Sequence, residues 1–343
     1  MTNFWATDKH DQKVYKHVLN DGGDIEVEVT NYGAIITGLW VNLPNKRINT
    51  VLSYPSFDEY QNDKAFIGAV VGRYCNRIAN AQFELNGQTY RLPANNGPHH
   101  LHGGPQGYYQ RTWEIKEADK QHIVLALHSP DGDAGYPGDC QIVMEYSLSG
   151  STFSFTWQAE SSKDTVISLT NHSYFNLSGT DSLSDHFLKI PFEYYTPLKR
   201  DGIPTGTVEP VKDSHFDFTK AKNLPYVLQK PPKVFEAFNG IDHNWCRSQS
   251  SNVDQTLSLA AELNCVSTGL KMQVLSTLPA LQCYTGNYLA GSGPFKRHQG
   301  ICLETQHSPN SPNQANFPPA ILRAGQTIKH TTQFTLEQYE TDT

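Results

Sequence analysis

Apolar and polar residues alternate along many short segments of the chain, from its beginning to its end. In IEVEVT, for example, Ile25, Val27 and Val29 fall on one side of an extended chain and two glutamates fall on the other. Successive side chains of a β-strand point to opposite faces, so this pattern is typical of a strand with one buried face. The alternation therefore predicts antiparallel sheets, each with a core side and a solvent side.

The same pattern recurs in longer segments. The clearest are QIVMEYSLSG at 141–150, TFSFTWQAE at 152–160 and TIKHTTQFTLEQY at 327–339. Asn86-Gly87 separates two alternating runs and predicts a two-residue hairpin turn. Helical periodicity is confined to FDEYQND at 57–63 and PKVFEAF at 232–238. We therefore predict an all-β fold, a large antiparallel β-sandwich that forms a single domain over residues 1–343.

The composition agrees with a sheet protein and narrows the range of partners. The 343 residues include 17 Tyr and 16 Phe but only 3 Met, and the formal net charge is −7. Since no run of Lys or Arg could follow a phosphate backbone, the charge pattern argues against a nucleic-acid partner. The longest apolar run, FIGAVVG at 66–72, is too short to cross a membrane.

The first residues and the cysteines both favour a cytoplasmic location. MTNFWATDKHDQK lacks the basic region and apolar core of a signal peptide. The 6 cysteines are spread singly, without a CxxC motif or a zinc-type spacing. They are most simply interpreted as reduced thiols.

The stretch NNGPHHLHGG at 95–104 raises the possibility of a metal site. His100 and His102 form an HxH pair, which on a strand would place both rings on one face, as in metal-binding cupins. A cupin also needs a glutamate a few residues on and a later histidine after a PxG turn. Glu114 lies far along, and no histidine closely follows GYPGDC. The other interpretations are surface histidines in a turn and a histidine that hydrogen-bonds a neutral polar ligand.

Two further stretches combine a strand pattern with reactive side chains. In SLTNHSYFNLSG at 168–179, the alternation places His172 and Tyr174 on one face. Such a pair suits a sugar pocket, and it equally suits a hydrogen-bonded core. Arg77 and Asp242 are single charges among apolar residues, and a buried charge is costly unless it is paired. Each therefore predicts either a structural ion pair or a polar ligand.

A carboxylate, Glu304, follows an apolar run in ICLETQHSPNSPN at 301–313. Alternation sends Cys302 and Glu304 to one face of this strand and Leu303 to the other, and prolines constrain the loop that follows. The chain has no GxSxG elbow, no GK[ST] phosphate loop and no dinucleotide fingerprint. The remaining His, Glu, Asp, Arg, Asn and Tyr side chains favour proton transfer on a neutral, hydroxyl-rich molecule.

Together these stretches resemble one family, the aldose 1-epimerases or galactose mutarotases. The similar segments follow the family order over residues 72–326: GRYCNRI, HHLHGG, SPDGDAGYPGD, LTNHSYFNLSG, GIDHNW, LQCYTGN, ICLETQHSPNSPN and ILRAGQ. The resemblance implies a galactose mutarotase-like supersandwich. It also implies an isomerase that interconverts the α and β anomers of free aldohexoses such as galactose and glucose, with no metal or nucleotide cofactor.

The resemblance further implies roles for individual residues. Glu304 corresponds to the general base of the family and His172 to its general acid, which leaves the nearby His307 as a loop or supporting residue. The positions expected to line the sugar pocket are Asn76, Arg77, His102, Tyr174, Asp242 and Gln282. The expected partner is thus a small sugar, bound by a monomer or homodimer.

Two other functions remain open from the sequence. A relative acting on hexose 6-phosphates would need basic residues clustered around the pocket, and the similar segments supply Arg77 with Arg73 nearby. A sugar-binding regulator would keep the fold without the chemistry. The presence of both His172 and Glu304 argues against the regulator.

Overall fold

Strands dominate the structure, a computed structural model that describes residues 1–248 and 255–339. In the first half of the chain the strands are β1 (Thr2–Thr7), β2 (Lys13–Leu19), β3 (Ile25–Thr30), β4 (Ile36–Leu43), β5 (Lys46–Asn49), β6 (Val70–Val71), β7 (Arg77–Ile78), β8 (Gln82–Leu85), β9 (Gln88–Arg91), β10 (His100–Leu101), β11 (Glu114–Ala118), β12 (His122–Ser129), β13 (Cys140–Ser149) and β14 (Thr152–Ser161).

In the second half the strands are β15 (Thr165–Val166), β16 (Thr170–Asn171), β17 (Tyr174–Phe175), β18 (His186–Lys189), β19 (Tyr194–Thr196), β20 (Glu209–Pro210), β21 (Lys222–Asn223), β22 (Asp242–Cys246), β23 (Ser258–Cys265), β24 (Leu270–Ser276), β25 (Ala280–Tyr284), β26 (Ile301–Gln306), β27 (Ile321–Leu322) and β28 (Thr327–Gln338). The α-helices are α1 (Phe57–Gln61), α2 (Leu224–Gln229) and α3 (Lys233–Glu236).

Three antiparallel sheets contain most of the strands. Their strand orders are β11-β12-β13-β14-β28-β24-β23-β18-β21, β17-β26-β25-β22-β19-β20 and β1-β2-β3-β4-β5. All three sheets contribute to one buried apolar cluster that extends in sequence from Leu19 to Leu336. The six-stranded and nine-stranded sheets also meet through a 2.6 Å hydrogen bond between the hydroxyls of Thr305 and Thr332. The predicted all-β, antiparallel architecture is confirmed.

The predicted alternation is confirmed in the strands that form the core. In β13 and β14 the large buried apolar side chains are Ile142, Met144, Tyr146, Leu148, Phe153, Phe155 and Trp157. The rings of Phe153 and Phe155 stack on Phe334 of β28 with centroid distances of 6.3 and 6.0 Å. Burial of each large apolar side chain contributes about 1.5–3 kcal/mol, so these strands are a major source of stability.

The hairpin between β8 and β9 also has the predicted turn. Leu85 pairs with Gln88, which leaves Asn86 and Gly87 as the two turn residues. Both have left-handed backbones, with φ of 53° and 75°. A type I′ turn requires this conformation at both positions, and Asn and Gly adopt it at little cost.

The short helices are less visible in the sequence than the strands. The two predicted helical pieces are confirmed as α1 and α3, whereas α2 was not predicted. Its start is nevertheless well defined, because the side chain of Asn223 accepts a 2.9 Å hydrogen bond from the backbone of Tyr226. A helix of six residues spans fewer than two turns, which is too short to show a clear period.

Two simpler expectations concern the membrane and the thiols. Within the described residues, no helix combines the length and the apolar character needed to span a membrane. All six cysteines are buried and free. The interpretation of the cysteines as separate thiols is therefore confirmed.

Candidate active site

A cavity of about 250 Å³ opens on one face of the six-stranded sheet. Seven of the eight residues named from the resemblance line it, and they come from five separate stretches of sequence. They are Asn76, Arg77, His102, His172, Tyr174, Asp242 and Glu304. The eighth, Gln282, lies behind this lining and contacts Asp242.

The two carboxylates of the cavity lie on β22 and β26, the strands on either side of β25. Gln282 on β25 is paired with Glu304 on β26, and Tyr284 is paired with Asp242 on β22. On β26 the side chain of Glu304 faces the cavity, while Leu303 packs in the apolar core. The predicted alternation of this strand is thus confirmed, and it is what aims the carboxylate at the cavity.

His172 reaches Glu304 from a break between two short strands. Its segment does not form the continuous strand that the alternation predicted, because β16 pairs with β6 whereas β17 pairs with β26. Nε2 of His172 lies 3.8 Å from Oε1 of Glu304, and both side chains are buried. The rings of His172 and Tyr174 have centroids 5.1 Å apart, so the predicted proximity of these two side chains is confirmed.

Burial disfavours the charged form of both members of the His172 and Glu304 pair. The pKa of Glu304 is raised well above its ordinary value, first by loss of contact with water and then by the nearby charge of Asp242. Burial lowers the pKa of His172 to about 4. Because one group holds its proton more tightly than usual and the other less tightly, the pair together holds one proton near neutral pH.

The HxH pair does not place both rings at one site, so that expectation is wrong. β10 ends before His102, whose backbone is left-handed with a φ of 52°. His100 instead makes 2.8 Å hydrogen bonds with the carbonyl of Pro93 and the hydroxyl of Tyr136. The backbone N–H of Asn76 donates to Nδ1 of His102 at 3.2 Å. Because Nδ1 accepts this bond, the neutral ring of His102 carries its hydrogen on Nε2. Burial lowers the pKa of His102 well below its ordinary value.

One cluster in the cavity has the donor atoms that a metal ion would need. His102, His172 and Glu304 each offer one such atom, and these atoms lie within 4.8 Å of one another. Two imidazoles and a carboxylate form a donor set that Zn²⁺ accepts. The same three groups are suited to proton transfer, so metal content is a property to measure.

Arg77 and Asp242 face the cavity without forming an ion pair. Nε of Arg77 donates to Asn96 at 3.0 Å, and Asp242 accepts from Nε2 of Gln282 at 2.6 Å. Burial raises the pKa of Asp242, although the charge of Arg77 opposes this. No salt bridge joins either side chain to another residue in 1–248 or 255–339. Of the two explanations left open by the sequence, a polar ligand therefore fits these charges better than a structural ion pair.

Asn76 and Gln282 hold their neighbours in place. Asn76 has a left-handed backbone with φ of 61°, and its side chain accepts the backbone N–H of Arg77 at 2.8 Å. Oε1 of Gln282 and Oε2 of Glu304 are buried oxygens that accept no hydrogen bond from any described residue. Unpaired buried acceptors are costly, so Oε2 of Glu304, which belongs to a lining residue, favours a ligand that donates through a hydroxyl group.

Arg73 and His307 lie outside the cavity. The buried guanidinium of Arg73 donates to the hydroxyl of Ser129 at 2.6 Å and to the carbonyl of Pro137 at 2.8 Å. These structural contacts mean that Arg73 does not add to a phosphate site. The ring of His307 lies 5.7 Å from that of His330 on β28, away from Glu304.

The sequence did not predict several lining residues, among them Lys64, Phe66, Asn96, Tyr284, Tyr288 and Ser292. The centroid of the Phe66 ring lies 4.7 Å from that of His102 and 5.6 Å from that of His172. Its φ of 58° is unusual for a large side chain. The apolar run that begins with Phe66 was used only to argue against a membrane span. Tyr284, in contrast, lies inside the quoted LQCYTGN and could have been found there.

The chain is similar to known proteins over most of its length. A family model described as aldose 1-epimerase matches residues 15–335. The chain is 37% identical to a galactose mutarotase of Sus scrofa over 90% of both chains. It is 36% identical to an aldose 1-epimerase of Haemophilus influenzae over 92% of this chain and 93% of that one. A crystal structure of galactose 1-epimerase from Lactobacillus acidophilus is 28% identical, superimposes with a TM-score of 0.86 and covers 99% of both chains.

Proposed function

The chain belongs to the aldose 1-epimerase family, and we propose that it uses Glu304 and His172 to interconvert the anomers of its sugar. It is an isomerase that acts on the α and β forms of free aldohexoses such as galactose and glucose. The observation that carries the catalytic proposal is the 3.8 Å distance between Nε2 of His172 and Oε1 of Glu304. Since the hydroxyl and ring oxygens that exchange protons are bonded to the same carbon, acid and base must lie this close together.

Ring opening moves two protons and one bond. The carboxylate of Glu304 takes the proton of the C1 hydroxyl, and the electron pair left on that oxygen forms the aldehyde as the bond from C1 to the ring oxygen breaks. Nε2 of His172 gives its proton to the released ring oxygen. Each transfer of this kind contributes about 10²- to 10⁴-fold to the rate.

Ring closure repeats these transfers in reverse. The aldehyde first rotates about the bond between C1 and C2, so that the ring oxygen attacks the opposite face. We assign Arg77, Asp242 and Asn76 to the hydroxyls that remain fixed while C1 turns. Asp242 accepts hydrogen bonds and Arg77 donates them, which matches the two roles of a sugar hydroxyl.

Substrate binding also explains how the charged form of the pair arises. Burial disfavours both the carboxylate of Glu304 and the imidazolium of His172. A sugar hydroxyl that donates to the unpaired Oε2 of Glu304 would stabilise the carboxylate, because charged acceptors gain most from such bonds. The proton then resides on His172, where ring opening requires it.

The direct test replaces Glu304 by glutamine, which keeps the shape of the side chain and removes the base. Freshly dissolved α-galactose and α-glucose are followed by polarimetry against the rate without enzyme. We expect Glu304→Gln to lose about 10²- to 10⁴-fold in kcat. A variant that folds normally and still matches the parent would show that Glu304 is not the base.

Several finer properties belong to the same proposal. We propose a single domain, because the sheets share one apolar cluster, and a cytoplasmic monomer or homodimer that binds no nucleic acid. The free thiols support the location. We also propose that no metal or nucleotide takes part, since Glu304 and His172 suffice for both proton transfers. Elemental analysis and activity after dialysis against a chelator test this, and activity that returns only with metal would refute it.

A further inference from the structure

Nδ1, the ring nitrogen of His172 that does not face Glu304, contacts Cys302, a residue without a role in the mechanism described above. Nδ1 of His172 lies 3.5 Å from Sγ of Cys302, and both side chains are buried. Cys302 does not line the cavity, so it contacts the reacting sugar only through this ring. Nε2 faces Glu304 on the other side. The imidazole is therefore held between the sulfur and the carboxylate.

We propose that Cys302 is a positioning residue for the isomerase, whose sulfur keeps a hydrogen on Nδ1 of His172 so that Nε2 is the nitrogen that exchanges a proton with the sugar. The inference rests on the proposed role of His172. A general acid must lose and regain its proton at one ring nitrogen, so the other nitrogen must keep its own. Cys302 is the side chain placed to accept that fixed hydrogen.

The neighbouring hydrogen bonds favour this direction. The hydroxyl of Tyr174 donates to the carbonyl of Ala65 at 3.0 Å, so its single hydrogen is committed and its oxygen accepts. Tyr174 is paired with Cys302 across β17 and β26, and the two side chains hydrogen-bond each other. The S–H group of Cys302 thus donates to Tyr174, and the sulfur lone pairs are left for His172.

The chemistry of the thiol suits this role better than that of a nucleophile. Burial raises the pKa of Cys302 well above its ordinary value, and the nearby Glu304 raises it further, so the group stays a neutral thiol. A neutral, weak acceptor orients the imidazolium without stabilising it as a carboxylate would. His172 therefore remains a ready proton donor.

The position of Cys302 also couples the acid to the base. It lies two residues before Glu304 on β26, and both side chains point to the same face. One strand thus carries the base itself and the group that orients the acid. Strands give more precise placement than loops, which matters for two groups that must act at one carbon.

The test compares alanine and serine at position 302. Cys302→Ala removes the acceptor, and we expect kcat to fall about 10- to 100-fold with KM unchanged, by analogy with the partners that orient metal-ligating histidines. Cys302→Ser restores an acceptor and should recover most of kcat. Because a hydroxyl accepts more strongly than a thiol, it stabilises the imidazolium of His172, so the serine variant should also move the high-pH limb of kcat to higher pH.

The control is Cys283 on the neighbouring strand β25. Both cysteines are buried in apolar clusters, and Cys302 is the one placed against His172, so Cys283→Ala and Cys283→Ser should keep the parent kcat and pH profile. The titratable and charged groups that line the cavity with His172 are Lys64, Arg77, His102, Tyr174, Asp242, Tyr284, Tyr288 and Glu304. They are unchanged in all four variants, so a shift confined to position 302 reports on its contact with His172.

A measurement on the parent does not depend on folding of the variants. ¹⁵N NMR of histidine-labelled protein should find the neutral His172 ring with its hydrogen on Nδ1. The opposite tautomer, or a Cys302→Ala enzyme with the kcat and pH profile of the parent, would overturn the inference. A serine variant as slow as the alanine variant, with both folded, would do the same. Glu304→Gln in the same assay separates the two proposals, because its full activity would refute the catalytic proposal itself.

Discussion

Two buried histidine clusters lie on opposite sides of strand β26, and they differ in what surrounds them. On one side, His172 lies 3.8 Å from Glu304 and lines the cavity. On the other side, the rings of His307 and His330 are 5.7 Å apart and do not line it. Burial lowers the pKa of all three, to about 4 for His172 and His330 and about 3 for His307.

The comparison shows that a lowered pKa does not by itself mark an active site. Trp157 packs against His330 at 4.9 Å, so that cluster belongs to the interior between the sheets. What distinguishes His172 is a carboxylate partner and an open cavity beside it. A group with a shifted pKa becomes a candidate catalytic residue only where it lies beside a second group that can exchange a proton and beside a cavity that can hold a substrate.

The largest expected effect separates the two clusters by activity. His172→Gln should lower kcat for α-galactose about 10²- to 10⁴-fold, because the proton donor to the ring oxygen is lost. His307→Gln removes an equally buried imidazole from the other cluster and should leave kcat unchanged. Polarimetry on both variants, with thermal unfolding as a check of folding, decides this. Equal losses in two folded variants would remove the distinction between the clusters.

A smaller effect is expected for the residues that hold the sugar. Asp242→Asn should lower kcat/KM about 10- to 100-fold, since a charged acceptor of sugar hydroxyls contributes about 1.5–3 kcal/mol. The matched change on the other side of β26 is Thr332→Val, which removes the 2.6 Å hydrogen bond to Thr305.

Thr332→Val should lower the free energy of unfolding by about 1 kcal/mol and leave kcat/KM unchanged. The two variants are compared by steady-state kinetics and urea unfolding. If Thr332→Val lowered kcat/KM as much as Asp242→Asn, the sugar-binding role of Asp242 would lose its support.

The smallest effect concerns stability against pH in the non-catalytic cluster. His307 and His330 have folded pKa values of about 3 and about 4, below the ordinary value of 6.5, so the unfolded chain binds more protons in acid. Their contribution to stability is complete above pH 6.5 and is lost as pH falls towards the folded values. Each histidine adds a slope of at most about 1.4 kcal/mol per pH unit in this window.

His307→Gln removes one of these titrations. Urea unfolding at several pH values between 7 and 4 should give a flatter dependence for the variant than for the parent. Parallel curves would mean that His307 is not buried as a neutral ring. Activity at neutral pH should stay the same throughout, in contrast to changes at His172.

Much of the fold was predictable because the responsible signals are local. The alternation that buries Tyr146 and Trp157 depends only on the two-residue period of a strand. The same rule aimed Glu304 towards one face before its surroundings were known. The turn at Asn86-Gly87 follows from the backbone preferences of two residues.

The placement of several site residues depends on features that the two-residue period of a strand does not indicate. His102 reaches the cavity because its left-handed backbone ends β10. The HxH spacing therefore wrongly predicted that the rings of His100 and His102 lie on one face. His172 faces Glu304 because its segment changes partner strands midway. Phe66 contacts both histidines through an unusual backbone conformation that apolar sequence alone does not indicate. Gln282 was expected in the lining but lies behind Asp242, since register places it there.

The central claim is that His172 and Glu304 act as one unit at a single carbon of the sugar. The most direct test measures kcat for α-galactose with Glu304→Gln, His172→Gln and the double variant, relative to the parent. Groups that work as a unit are not additive, so the double variant should be no slower than the slower single variant. Losses that multiply in the double variant would contradict the account.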